Sequence, residues 1–206
     1  MIAKRDLGRY RQPVPVSLGL AHVSQLASGR IRALVLPVMY EPFAELRPED
    51  LLVVCETVRI EAFPQRPRQF RVRYPGRHLA AFVDVAEGEQ KPPAGYFEAD
   101  VMPWEASRWT LRVLEVERRR LRSLGAAEAT ECGCEAIEGG WCPPGVAQDM
   151  FRPYRAPWSA VGHFVGTRFR SSPTERDPWL IFCRFEAIAR NYRRVVGLHS
   201  VEGSES

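Results

Sequence analysis

The sequence is poor in several things that would have settled its class at once. No apolar run reaches the roughly 18 residues a membrane-crossing helix needs. The start, MIAKRDLGRY, has no apolar segment of the secretory type, so a cytoplasmic protein without membrane association is expected. Lysine is almost absent: only Lys4 and Lys91 occur, and arginine supplies the rest of the 29 basic residues. There is no G-x-S-x-G stretch, and the four histidines, His22, His78, His163 and His199, stand in no pattern with serine and aspartate that suggests a triad. Cysteine is present in an odd number, five, which with no export signal argues for free thiols in a reducing compartment.

What is present bounds the fold. A chain of 206 residues, 45% hydrophobic, can bury one substantial core with room for insertions. The 17 prolines and 15 glycines are spread along it and favour many short elements over long helices. The formal charge is +4 and the pI about 8.9, a mild hint of a polyanionic partner. Arginine pairs with phosphate in a bidentate way and stacks on bases, although arginine richness also follows from a GC-rich genome.

The organising stretch is Met102–Arg122, MPWEASRWTLRVLEVERRRLR. A loop with Pro103 and Trp104 leads into a strand rich in aromatic and β-branched residues. Leu111 and Val113 share one face while Leu114 and Val116 share the other, so a β-bulge is expected near Val113–Leu114. Ser107, Arg108 and Arg112 lie at its start, Arg118, Arg119 and Arg120 at its end.

In chain order, residues 1–14 read as a flexible basic arm. The stretch from Val16 to Ser28 allows a short helix, ended by Gly29 and followed by an extended RIRALVLPV that carries Arg30 and Arg32. A turn at Pro48–Asp50 leads to one strand over Leu51–Ile60, interrupted by Glu56, an acid on a solvated face or in a pocket. Gln69–Tyr74 and His78–Val85 form a hairpin across Pro75-Gly76. Beyond Arg122, Ser123 or Gly125 caps a helix to about Glu131, ended by Gly133. Residues 132–176 read as a cysteine- and proline-rich insert with a helix over Ala156–Phe169, whose stripe of Trp158, Val161, Phe164 and Val165 is core packing. Trp179–Ile188 is the last strand, with Trp179, Ile181, Cys183 and Phe185 on one face. Residues 191–206 read as a frayed tail.

Cys55 and Cys183 sit in apolar strand patterns and read as packed thiols. Cys132, Cys134 and Cys142 are weak zinc candidates, with His163 as a fourth ligand. Their spacing matches no common zinc knuckle, so no metal and no cofactor is expected.

Five local matches make the chain resemble the ASCH domain family of PUA-like fold, in its phage and prophage branch. Leu26–Pro37 (LASGRIRALVLP) is similar to the family's helix end and basic segment, and Asp50–Thr57 (DLLVVCET) to its GDRLWVRET strand. Met102–Val116 resembles its MPRWASRITLEVTDV, with Trp104, Ala106, Ser107 and Arg108 in the same places. Arg122–Gly133 resembles its QDISEEDALAEG helix and Asp177–Ile188 its closing NPWVWVIEF strand. The matches cover roughly two thirds of the chain. They imply an α+β, mainly β fold: a single domain over 15–190 built as a small PUA-like β-barrel with flanking helices. They also imply a cleft that takes RNA or a nucleotide-derived ligand. Some members hydrolyse the acetyl amide of a modified cytidine, and some have been proposed as nucleases. This chain departs where those hydrolases carry lysine and threonine: the lysine position reads Ile31, the threonine positions Arg32 or Leu34, and only Glu56 is kept.

The reading that follows is a module for RNA or single-stranded nucleic acid, with a modified nucleotide as one possible ligand. Its binding candidates are Arg30, Arg32, Glu56, Trp104, Ser107 and Arg108. The alternative is a small hydrolase of a nucleoside amide or RNA phosphodiester, with Glu56 as base and Arg30 or Arg32 in place of the lysine. A third reading gives the insert at 132–176 a protein partner.

Overall fold

The computed structural model describes residues 12–62, 68–75, 80–85, 88–146, 152–169, 177–193 and 195, with backbone alone for 164–169. Of the expected features, the basic arm up to residue 11, the hairpin tip at 76–79, parts of the insert at 147–151 and 170–176, the side chains of Phe164 and Val165, and the tail at 194 and from 196 onwards lie outside the described residues.

In chain order the elements are β1 (Val14–Ser17), α1 (Leu20–Ala27), β2 (Ala33–Pro37), α2 (Glu41–Ala44), β3 (Leu51–Cys55), β4 (Val58–Ala62), β5 (Gln69–Arg73), β6 (Ala80–Asp84), β7 (Gly95–Phe97), β8 (Thr110–Arg120), α3 (Ala126–Glu131), β9 (Glu135–Ile137), β10 (Gly140–Cys142), α4 (Pro157–Phe169) and β11 (Trp179–Ile188). Strand outweighs helix, so the fold is α+β and mainly β. The chain divides into two compact units, each drawn from separate segments.

The first unit takes residues 1–23, 51–111 and 188–206. Here β1 runs parallel to β3, with Val14 opposite Leu52 and Ser17 opposite Cys55. All five residues of β3, LLVVC, are buried, as an uninterrupted apolar run requires. The remaining strands form an antiparallel sheet in the order β6-β5-β4-β7. Strict alternation sends Val58, Ile60, Phe70 and Val72 into a core shared with Val53, Tyr74 and Met102. Two expectations change here. Val16 belongs to a strand, not to a helix, because β-branched residues around Pro15 suit an outer strand beside β3. The single strand expected over Leu51–Ile60 breaks at Glu56 and Thr57, since β3 pairs with β1 while β4 pairs with β5 and β7.

The second unit takes 24–50 and 112–187. Its strands follow the order β8-β11-β2, with β11 antiparallel to β2 from Leu180 opposite Pro37 to Arg184 opposite Ala33. α1 ends at Gly29, whose φ of 69° lets the Arg30 amide reach back to the Gln25 carbonyl at 2.9 Å. β11 spans the expected residues, but both of its faces are covered, with Leu180 and Phe182 buried as well as Ile181 and Cys183, and Trp179 stays 41% exposed. At Val113–Leu114, Leu111 and Val113 are buried and Leu114 is exposed, while Arg112 meets Glu186 and Glu115 and Glu117 both meet Arg184.

No closed barrel is found among the described residues. The sheet of the first unit is open because β6 pairs with β5 alone and the three-residue β7 lies on the far side of β4. The stretch read as an insert also starts inside a core, since Cys132, Cys134 and Ala129 pack with Val35, Val161 and Phe182.

The N-terminus of α3 yields a test by pH. Glu128 accepts from the Gly125 amide at 2.9 Å and from Arg119 at 2.7 Å, half of a capping box because glycine has no side chain to reciprocate. The hydrogen bond from Arg119, with help from the backbone amides, holds the Glu128 carboxyl below its ordinary 4.5. A carboxyl lowered by folding contributes stability that is complete above its unfolded value and disappears as pH falls through the lowered one. Glu128→Gln is therefore expected to lose about 1 kcal/mol near neutral pH in urea unfolding. That deficit should close as the pH is taken below 4.5.

Candidate functional site

The six residues singled out from the sequence fall into two groups. Glu56, Trp104, Ser107 and Arg108 lie in the first unit, Arg30 and Arg32 in the second.

In the first group, Glu56 sits where the chain leaves β3. Its side chain is 4% exposed, and Arg108 grips it bidentately, Nε to Oε1 at 2.7 Å and Nη2 to Oε2 at 2.8 Å. The Arg108 guanidinium lies over the Tyr74 ring, 4.2 Å from its centre, and the Tyr74 hydroxyl donates to the Ala106 carbonyl at 2.8 Å. Burial pushes the Tyr74 phenol upward, the Glu56 charge adds to this, and Arg108 opposes it, so the ring stays a neutral donor. Ser107 is buried, its hydroxyl 2.9 Å from the carbonyl oxygens of Val54 and Trp109, and it clips the entry of β8 onto β3. Trp104 is partly buried, meets Tyr192 edge to face at 6.0 Å, and packs on the core of the first unit. Asn191 holds this loop by donating to the carbonyls of Trp104 and Ser107 at 2.9 and 3.0 Å.

This arrangement binds its own parts together. Each Glu56 oxygen already accepts from Arg108, and the carboxylate is closed off from solvent, a poor posture for a general base. The neighbouring Cys55 thiol is pushed up to about 12 by burial and by the Glu56 charge, so it is no nucleophile.

The second group opens onto a cleft of about 460 Å³, within the range of small-ligand sites. After Gly29 the chain runs extended, which buries Ile31 and turns Arg30 and Arg32 outward on either side of it. The Arg32 amide donates to the Glu131 carbonyl at 2.8 Å, fixing the segment against α3. Gln25, Thr130, Glu131 and Glu135 complete the lining that matters. The acids are partly engaged: Glu131 accepts from Arg184 at 2.7 Å, while Glu135 meets Arg30 only at 3.4 Å with both side chains largely exposed. The Arg32 side chain has no carboxylate partner among the described residues. Gln25 donates to the Gly133 carbonyl at 3.3 Å, and its Oε1 is buried with no hydrogen-bond partner among the described residues. Sequence reading passed over Gln25, whose only signal was a polar residue one turn before the helix-ending glycine.

The cysteine candidates are packed thiols. Cys132, Cys134 and Cys142 are all buried and unbridged. Burial drives the Cys132 thiol far upward and takes Cys134 to about 12, and Cys142 is raised too, by burial and then by Glu135. The fourth residue considered, His163, is 2.8 Å from the Tyr154 hydroxyl through Nδ1. Among the described residues no group of three histidine, cysteine or acidic side chains is placed to hold a metal. Nor is any described helix long and apolar enough to cross a membrane.

Set against family models, curated proteins and solved structures, the chain matches none of them.

Proposed function

We propose that this protein binds RNA or another single-stranded nucleic acid and holds a nucleotide in the cleft beside α1 and α3. The observation that carries the reading is the convergence of the exposed Arg30 and Arg32 on one cleft that Gln25 also lines. Two guanidiniums offer bidentate contacts to phosphate. The resemblance to the ASCH family supports the same ligand class, and the PUA-like assignment stands or falls with it. The hydrolase alternative asks Glu56 to act as base while both of its oxygens are held by Arg108.

The test is fluorescence anisotropy of a labelled dodecamer RNA with wild type and with the Arg30→Ala/Arg32→Ala pair. The pair is expected to weaken binding at least about tenfold and to flatten the salt dependence by about 1.4 units of slope, two phosphate contacts on a single strand. Unchanged affinity and slope in the pair would remove the cleft from the binding site. Release of acetate from acetylated cytidine, lost in Glu56→Gln, would move the reading to the hydrolase.

A further inference from the structure

The outer face of the sheet in the first unit breaks a rule that solvent-facing sheets keep. Arg59 on β4 stands directly opposite Arg73 on β5, and on its other side opposite Tyr96 on β7. Like charges set opposite each other destabilise a strand pair. Two residue pairs along, on the same face, Glu61 stands opposite Arg71, and Arg71 opposite Phe82 on β6. Alternation puts all six side chains on the face away from the core, because Val58, Ile60, Phe70 and Val72 fill the inner face.

The face is unbalanced in charge and carries two exposed rings. Glu61 serves two arginines, Arg73 at 2.7 Å and Arg71 at 3.6 Å. Arg59 is exposed and makes no side-chain hydrogen bond or ion pair with any described residue. Tyr96 is 65% exposed and Phe82 48%, one at each flank of the arginines. Neighbouring strands are about 4.8 Å apart and alternate residues about 6.7 Å apart, so the arginines form a compact field between two ring surfaces. Departures from the stabilising pattern gather at functional sites, and a row of arginines kept against its own repulsion points to an anion.

From this we infer that the β6-β5-β4-β7 face is a stacking platform for single-stranded nucleic acid, bases lying on Tyr96 and Phe82 and phosphates on Arg59, Arg71 and Arg73. The inference rests on the proposed nucleic-acid function and adds a surface separate from the cleft. Exposed rings on an open sheet face accept unpaired bases, whose faces a duplex hides. An acidic peptide would satisfy the arginines and leave the rings unused.

The experiment compares wild type with Tyr96→Ala, Tyr96→Phe, Arg59→Ala and Arg59→Lys. Probes are the labelled dodecamer RNA, the same RNA as a duplex, and polyglutamate as competitor, with a thermal melt of every variant. Tyr96→Ala is expected to weaken single-strand binding about tenfold, the scale of one lost base stack, and Tyr96→Phe to retain it. Arg59→Ala is expected to weaken binding and flatten the salt slope by about 0.7, and Arg59→Lys to keep most of that slope. Its melting temperature should stay level or rise, since the substitution relieves the repulsion with Arg73. Wild type that binds RNA with all four variants unchanged overturns the platform and leaves the function standing. Wild type that binds no RNA overturns both. Affinity lost only in step with a lowered melting temperature, or equal competition by polyglutamate, also overturns the platform.

Discussion

Arg108→Ala is expected to destabilise the first unit by about 3 kcal/mol, measured as a lower midpoint in urea unfolding at neutral pH. The substitution leaves Glu56, 4% exposed, with neither of its two guanidinium hydrogen bonds. An uncompensated buried charge costs about 3–5 kcal/mol, and the low end applies because Arg108 is itself 22% exposed and water reaches the gap. It also strips the cation from the Tyr74 ring. Arg108→Lys should recover little, since a point charge cannot reproduce the fork that meets both oxygens. The double variant Glu56→Leu/Arg108→Met should recover most of the loss, because apolar replacements of a buried pair are often neutral. A single variant within about 0.5 kcal/mol of wild type would show that the pair does not hold this unit together.

Gly140→Ala should be as damaging in the second unit, by about 3 kcal/mol. Gly140 has a φ of 151°, and a Cβ placed there would stand 2.2 Å from the Tyr154 carbonyl oxygen. Backbone cannot swing aside as a side chain does. The clash would break the paired hydrogen bonds between Trp141 and Tyr154, now 2.8 and 2.9 Å, worth about 1 kcal/mol each. Strain at positive φ adds about 1–3 kcal/mol. Its neighbour is the control: Gly139 has a φ of 82°, but its nearest contact would be Pro153 at 3.9 Å. Gly139→Ala should therefore cost about 1 kcal/mol, from strain alone. Equal losses at the two positions would show that the Tyr154 carbonyl is not the obstacle.

The parts of the fold legible in the sequence are those written by local chemistry. Gln69–Arg73 alternates cleanly and is followed by the Pro75-Gly76 turn signal, so its pairing with the returning strand Ala80–Asp84 could be read directly. Gly125 and Gly133 mark both ends of α3, and Gly133 has the expected positive φ of 84°. Aspartate, proline and tryptophan announce β11. What stayed hidden depends on distant partners. VPVS has too few residues for its period to decide between helix and strand, and β3 decides it. The break after Cys55 is set by which strands claim either side, and nothing local in CETVRI says so. Glu56 and Arg108, 52 residues apart, can each be named from the sequence, and a pairing of Arg108 with Glu56 or another buried acid can be foreseen, but which acid it meets depends on tertiary distance. Gln25 was missed because an unmet hydrogen-bond acceptor is a property of surroundings, not of sequence. Cys132 and Cys134 pack into the core of the second unit, a placement that their C-x-C spacing alone does not disclose.

The most direct test of the account is the binding isotherm of the wild-type protein with the labelled single-stranded dodecamer RNA, repeated from low to high salt. The account predicts micromolar or tighter binding at low salt, with the logarithm of the affinity falling linearly against the logarithm of salt by about 0.7 for each phosphate held. No binding at low salt, or an affinity indifferent to salt, would contradict it.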